Sequence, residues 1–146
     1  MIEIHEVPIL RTDQPLAEAV VELVECGFPA LPVVDGRERF AGVFGERDFI
    51  RALFPGYVDQ LGYAGFVGRS LEEQLERRSQ CAIETVAKHM NTEHVDVHPD
   101  FSAVALAETF LHHRVAIVPV VDGGRVVGVV TRRDFFAELA RRFTQT

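Results

Sequence analysis

Four consecutive residues, Thr131-Arg132-Arg133-Asp134, carry the side chains best suited to chemistry in this chain of 146 residues. They follow the apolar run Gly128-Val129-Val130, so a buried strand is expected to end and a helix to begin near Thr131. The first amides of a helix lack internal partners and carry the positive end of its dipole, which makes an anion site. There Thr131 offers a hydroxyl, and Arg132 or Arg133 supplies the charge a phosphate pairs with. Asp134, one turn in, presents a carboxylate able to accept from the two vicinal hydroxyls of a ribose. Phosphate and sugar together describe a nucleotide better than any small anion. The same four residues also make a capping arrangement, with Thr131 satisfying the helix start and Asp134 favoured by the dipole. The two readings are compatible, because a capped helix still shows Asp134 to a ligand.

These residues sit in a repeat. Gly42-Val43-Phe44-Gly45-Glu46-Arg47-Asp48-Phe49 is answered by Gly128-Val129-Val130-Thr131-Arg132-Arg133-Asp134-Phe135. Upstream, Leu31-Pro32-Val33-Val34-Asp35-Gly36 is answered by Val118-Pro119-Val120-Val121-Asp122-Gly123. Pro32 to Pro119 is a step of 87 and Asp48 to Asp134 a step of 86, so the first copy carries one extra residue between Asp35 and Gly42. Such a repeat is one supersecondary unit used twice, packed as pseudo-equivalent halves. In the first copy Gly45 replaces the threonine, and Glu46 adds negative charge where a phosphate would lie. Arg47 and Asp48 remain. The second copy is therefore expected to hold the occupied site.

The elements that must position these groups read as strand, helix, strand, strand, helix, twice. In the first unit Val7-Pro8-Ile9-Leu10 is expected as an edge strand, since Pro8 cannot donate to a ladder. Thr12-Asp13-Gln14-Pro15 provides cap-capable side chains ahead of a helix carrying Leu16, Ala19, Val20, Leu23 and Val24 and stopped by Gly27. Strands at 31–34 and 40–44 flank a turn, and a helix from Glu46 to Phe54 follows. In the second unit Val95-Asp96-Val97 is the short strand, and Pro99-Asp100 opens a helix with Val104, Leu106, Ala107, Phe110 and Leu111. Strands at 117–121 and 126–130 flank Asp122-Gly123-Gly124, and a last helix runs from about Arg132 to Arg142 with Phe135, Leu139 and Phe143 along one side. Between the units, Ser70 with Glu73 three residues on predicts an exposed, capped helix, and the Gly-rich piece from Gly62 to Gly68 predicts a loop. The connection has no task assignable from its residues.

Size and composition bound the reading. Each repeat of roughly 50–60 residues is marginal alone, so the halves are expected to share a core. The 47% hydrophobic and 25% charged fractions are those of a globular chain. The net charge of −7 argues against double-stranded nucleic acid as a partner, which leaves a basic footprint. No apolar stretch nears the roughly 18 residues of a membrane span, and the first residues lack the pattern of a signal peptide. A cytoplasmic protein with no membrane partner is expected.

The doubled Pro-Val-Val-Asp-Gly turn, the doubled Gly-hydrophobic-hydrophobic segment and the aspartate one turn into each following helix resemble the CBS-domain family, named for cystathionine β-synthase. The likeness is to a stand-alone tandem pair, a Bateman module. It implies an α/β (α+β) fold of two pseudo-symmetric β-α-β-β-α repeats packed through their sheets, with repeat 1 at residues 4–54, a connection at 55–82 and repeat 2 at 83–143. It further implies a regulatory module that binds AMP, ADP, ATP or a related adenosyl compound in a cleft between the repeats. An adenine ring needs an apolar slot edged by backbone groups. Val115-Ala116-Ile117 and, in the first copy, Phe28-Pro29-Ala30 occupy the family's base-contacting position. As plain structure the same residues are core entry positions. Asn91 and Thr92, ahead of the second unit's first strand, are placed to line the second cleft; Arg47 and Asp48 belong to the first.

No phosphate-binding lysine loop, no serine elbow and no paired catalytic carboxylates appear, so no enzyme and no catalytic cofactor are expected. His89, His94 and His98 with Asp96 are too loosely spaced for a metal centre, and none is expected. His112-His113 reads as dipole compensation at a helix end. Cys26 and Cys81 have no adjacent base. The apolar side chains Phe49, Ile50, Leu53, Phe54, Phe135, Phe136, Leu139 and Phe143 load both final helices, serving either the core or a homodimer surface. The resemblance favours the homodimer, and an unidentified downstream protein would read the state of the module. The rival reading is a dimeric scaffold with degenerate clefts.

Overall fold

A computed structural model describes residues 2–55, 70–93 and 95–145. The Gly-rich piece and His94 lie outside them. The fold is α+β, and the repeated unit is visible in its strands. β1 (Leu10–Arg11) pairs parallel with β2 (Ala30–Val34), and β2 pairs antiparallel with β3 (Phe40–Gly45). β4 (Ile117–Asp122) and β5 (Arg125–Thr131) form the matching hairpin. Both hairpins carry an irregularity at the same place, between Val33 and Val34 and between Val120 and Val121. The extra residue of the first copy falls in its turn: Val34 pairs with Phe40, whereas Val121 pairs with Val126. The tighter turn needs positive φ at both central residues, and Gly123 and Gly124 supply 60° and 84°.

Helices α1 (Leu16–Cys26) and α2 (Glu46–Leu53) complete the first repeat, and α5 (Ala103–His112) and α6 (Arg132–Thr144) the second. Between them lie α3 (Leu71–Arg77), a 3₁₀ turn at Ser79–Ile83 and α4 (Val86–His89). Leu16, Ala19 and Leu23 of α1 are buried, and Gly27 ends it with φ 77°. Val24, expected on that face, is exposed, as are Val104 and Leu111 of α5. No side chain of Thr12 or Asp13 caps α1. The Leu16 amide instead donates to the Glu84 carbonyl, 2.8 Å away. The chain returning from the connection thus satisfies the helix start, which leaves a side-chain cap no work. α5 begins three residues later than Pro99-Asp100 suggests, because the Ser102 hydroxyl accepts from the Ala105 amide and fixes the cap there.

Two expected strands shrink. Of the first, Val7–Leu10, only Leu10 pairs with β2, joined by Arg11 beyond the expected end, and the second is reduced to one parallel bridge, Val97 to Val120. α3 begins as expected at Ser70, whose hydroxyl accepts from the Glu73 amide. It is not wholly exposed: Gln74 is buried and its amide donates to the Leu53 carbonyl at 2.7 Å, while Arg78 Nε donates to the Ala52 carbonyl at 3.0 Å. Those are carbonyls at the end of α2 that the helix itself leaves unpaired. This part of the connection therefore stoppers α2.

The halves are stitched by exchange. His5, near the start of the first repeat, bridges to Val129 of β5; Asn91, ahead of the second repeat's first paired residue, bridges to Val43 of β3. A shared core of Ala30, Ile117 and Val129, flanked by Val7, Phe28 and Val43, joins the sheets. Gly42 and Gly128 make the exchange possible, since a Cβ on either would lie 2.5 Å from the carbonyl oxygen of Asn91 or His5. Gly128→Ala is therefore expected to cost about 1–3 kcal/mol by overpacking, read as a lower denaturant midpoint at unchanged slope. Gly36→Ala is the control, because a Cβ there meets nothing within 4 Å.

Candidate nucleotide cleft

β5 delivers Thr131 to the mouth of the hairpin, and α6 starts at the next residue. The Thr131 hydroxyl accepts from the Asp134 amide at 3.0 Å, and the Arg132 amide donates to the Ala116 carbonyl at 2.9 Å. Two first-turn amides are thus engaged inside the protein. A phosphate here would lean on the exposed guanidinium groups of Arg132 and Arg133, the latter lying 5.4 Å from the centroid of the Phe136 ring. The Asp134 side chain is 35% exposed, and its carboxylate pairs with His5 Nε2 rather than with its own backbone.

The equivalent aspartate of the first repeat behaves differently. Asp48 is buried; its Oδ2 accepts from the Gly45 amide at 2.8 Å and its Oδ1 from Arg51 at 3.1 Å. Burial pushes its carboxyl above the usual range, against the pull of the Gly45 amide and Arg51. Both oxygens are held by the protein. The missing hydroxyl at position 45 is enforced by packing as well, since a Cβ there would lie 2.7 Å from the Ala30 Cβ and 2.8 Å from the Pro29 oxygen.

A single open cleft of about 1370 Å³ takes in both groups. Thr131, Arg132, Arg133 and Asp134 line it with Val115, Ala116 and Ile117, as do Asn91 and Thr92, and Phe28, Pro29, Ala30, Arg47 and Asp48. Ala30 and Ile117 are at once cleft floor and shared core. The Asn91 backbone is paired to the first repeat through Val43. A family model for the CBS domain matches this chain at residues 2–55 and again at residues 83–141. The chain belongs to the CBS-domain family.

This CBS pair is 31% identical over 124 residues to an A-adding tRNA nucleotidyltransferase of Geobacter sulfurreducens. That match covers 82% of the pair and spans 11% of the enzyme's length. The CBS domain of a CBS domain-containing membrane protein from Sphaerobacter thermophilus is similar with a TM-score of 0.69 at 26% identity, covering 91% of this chain and 82% of that one. CBSX2, solved in complex with AMP, is similar in fold with a TM-score of 0.66 at 18% identity, covering 92% of the pair and 88% of that chain. No described helix is long and apolar enough to cross a membrane.

The cleft of the pair also holds His5, Arg51 and Arg114, which sequence reasoning passed over, and Phe136, expected in the core or on a homodimer surface. His5 had a signal, because it lies 86 residues before Asn91, the same step that relates Asp48 to Asp134. The histidines weighed together in the sequence part company. His89 Nε2 meets Glu84 at 2.8 Å, and His98 turns to Asp100 and Asp122. Glu84, bonded to Lys88 and then to His89, has its carboxyl held down at about 2. Among the described residues, two groups of three donors are close-set, Cys81 with Glu84 and His89, and Glu3 with His5 and Asp134. Hydrogen bonds and ion pairs link His89 and Lys88 to Glu84 in the first, and His5 to both carboxylates in the second.

Proposed function

We propose that this CBS pair is a regulatory ligand-sensing module that binds an adenine nucleotide or adenosyl compound, such as AMP, ADP or ATP, at the second-repeat side of the cleft. The observation that carries the reading is the contrast between two equivalent aspartates. Asp134 offers a partly exposed carboxylate to the cleft, whereas Asp48 is buried in bonds to Gly45 and Arg51. Asp134 would hold the ribose, Arg132 and Arg133 the phosphate, and Val115-Ala116-Ile117 with Asn91 and Thr92 the base. Phe28, Pro29, Ala30, Arg47 and Asp48 form the second, weaker candidate. The AMP named with CBSX2 supports an adenosyl ligand for this fold.

Signalling would follow from linkage: a ligand touching both repeats favours one of their arrangements, by as much as its affinities for the two states differ, and a downstream protein reads the outcome. The module is proposed to act without catalysis, in the cytoplasm. The activity named for the Geobacter relative belongs to a protein of which this chain spans 11%. Calorimetric titration with AMP, ADP, ATP, NAD and S-adenosylmethionine tests the reading, and a saturable heat with at least one of them is expected. Silence with all five would leave the rival, a dimeric scaffold. That rival draws on Ile50 of α2 and on Phe136 and Leu139 of α6, which are exposed apolar side chains. A homodimer is proposed under both readings.

A further inference from the structure

We infer that His5 controls access to the second-repeat site: its imidazolium and the ribose diol of the ligand compete for the Asp134 carboxylate, so nucleotide affinity rises as His5 loses its proton. The inference rests on the nucleotide reading above and adds a residue and a condition to it.

The imidazole is placed by the fold. The His5 amide donates to the Val129 carbonyl at 2.8 Å and the Val129 amide returns the bond at 2.9 Å. Gly128, without a side chain, lets that backbone approach. The ring then stands edge-on to Phe28, centroids 5.3 Å apart, and its Nε2 reaches Asp134 Oδ2 and lies 3.1 Å from Glu3 Oε2. Glu3, two residues before His5, brings its carboxylate into the same group, within 4.8 Å of the ligand atoms of His5 and Asp134. A diol that donates one hydroxyl to each carboxylate oxygen would have to share Oδ2 with His5, which already engages it. Displacing His5 would also uncover the Phe28 ring on the cleft wall.

The direction with pH follows from the chemistry of the pair. A charge-assisted hydrogen bond is roughly twice as strong as a neutral one, so His5 holds Asp134 more firmly when protonated. Histidine is the side chain that ordinarily changes charge between about pH 5 and 8. Among the described residues, the charged groups within ion-pair distance of His5 are Glu3 on its own segment and Asp134 on α6. β5 meets it through backbone and the segment before β2 through the uncharged Phe28 ring. His112, His113, Arg114, Arg132 and Arg133 share the cleft wall, so pH dependence alone would not identify the group. The first repeat lacks the device. Its equivalent of His5 is Asn91, which does not titrate, and Asp48 is already held by Gly45 and Arg51.

The test is calorimetric titration of AMP into wild type and His5→Gln, with EDTA present, from pH 5.5 to 8. The ligand phosphate titrates in the same window, and comparing the two proteins cancels it. Wild type is expected to lose about tenfold more affinity than His5→Gln between pH 8 and pH 5.5, a difference of about 1.4 kcal/mol in displaced pairing. His5→Gln should be the tighter binder at pH 5.5. Parallel pH profiles, or weaker binding by His5→Gln at pH 5.5, overturn the inference while leaving the nucleotide reading intact. If neither protein binds AMP, ADP, ATP, NAD or S-adenosylmethionine at any pH, both fall. The pair is read separately by comparing the His5 imidazole NMR signals of wild type and Asp134→Asn at pH 5.5. A displaced signal supports the pairing, and an unmoved one overturns the inference even where AMP binds.

Discussion

Asp134→Ala is expected to weaken nucleotide binding about 100-fold, the loss of one to two hydrogen bonds to a charged group at about 1.5–3 kcal/mol each. The fold should survive the change. Asp134 is partly exposed, its carboxylate makes no bond to its own helix start, and Thr131 caps that start with its own hydroxyl. A carboxylate near a helix N-terminus contributes about 0.3–1 kcal/mol, too little to unfold a domain stable by about 5–15 kcal/mol. Asp48→Ala should do the opposite. It removes the acceptor of the Gly45 amide and the partner of Arg51, costing about 0.5–2 kcal/mol of stability as a lost cap does. Binding to Asp48→Ala should stay within about twofold, as for a site that does not touch the ligand. Calorimetry with AMP on both variants, beside their denaturation midpoints, separates the two roles. Lost binding in Asp48→Ala with intact binding in Asp134→Ala would move the site to the first repeat.

The contrast between those aspartates marks what the sequence can disclose. Both stand at the same step of the repeat, and the composition of each motif makes position 134 the better site. That Asp48 is buried and bonded is not readable from its neighbours, because burial depends on how β3 and α2 meet Ala30 and Pro29 across the sheet. The hairpins are legible for a local reason: apolar runs bounded by Asp-Gly turns have one economical solution. Two-residue β1 and the lone Val97 bridge are too short to show a period, so their extent is set by tertiary pairing alone. The start of α5 turns on a choice between Asp100 and Ser102 as cap, which the Ser102 bond to Ala105 decides. His5 pairs with Asp134 across 129 residues, through an exchange of segments that only the repeat step hints at.

Phe44→Ala is expected to remove about 3–5 kcal/mol of stability, the usual cost of deleting a buried phenylalanine ring. Phe44 is fully buried on β3 opposite Leu31, in a core with Leu10, Leu16, Ala19, Leu23, Val33 and Ala52. Cys81, at the end of the connection, and Val86, just beyond it, complete that core, so the ring anchors the returning chain as well as its own repeat. The equivalent residue of the second repeat is Val130, also fully buried, where two methyl groups rather than a ring are at stake. At about 0.8 kcal/mol for each buried carbon, Val130→Ala should cost about 2 kcal/mol or slightly more as a cavity remains. Urea denaturation at constant slope measures both, with Phe44→Leu as the graded variant should the alanine form prove too unstable to purify. Because Asp134 and its arginines belong to the other repeat, Phe44→Leu should still bind AMP within about twofold wherever it is folded. Equal losses from Phe44→Ala and Val130→Ala would mean that the Phe44 ring is no better packed than two methyl groups, against its full burial among the residues of that core.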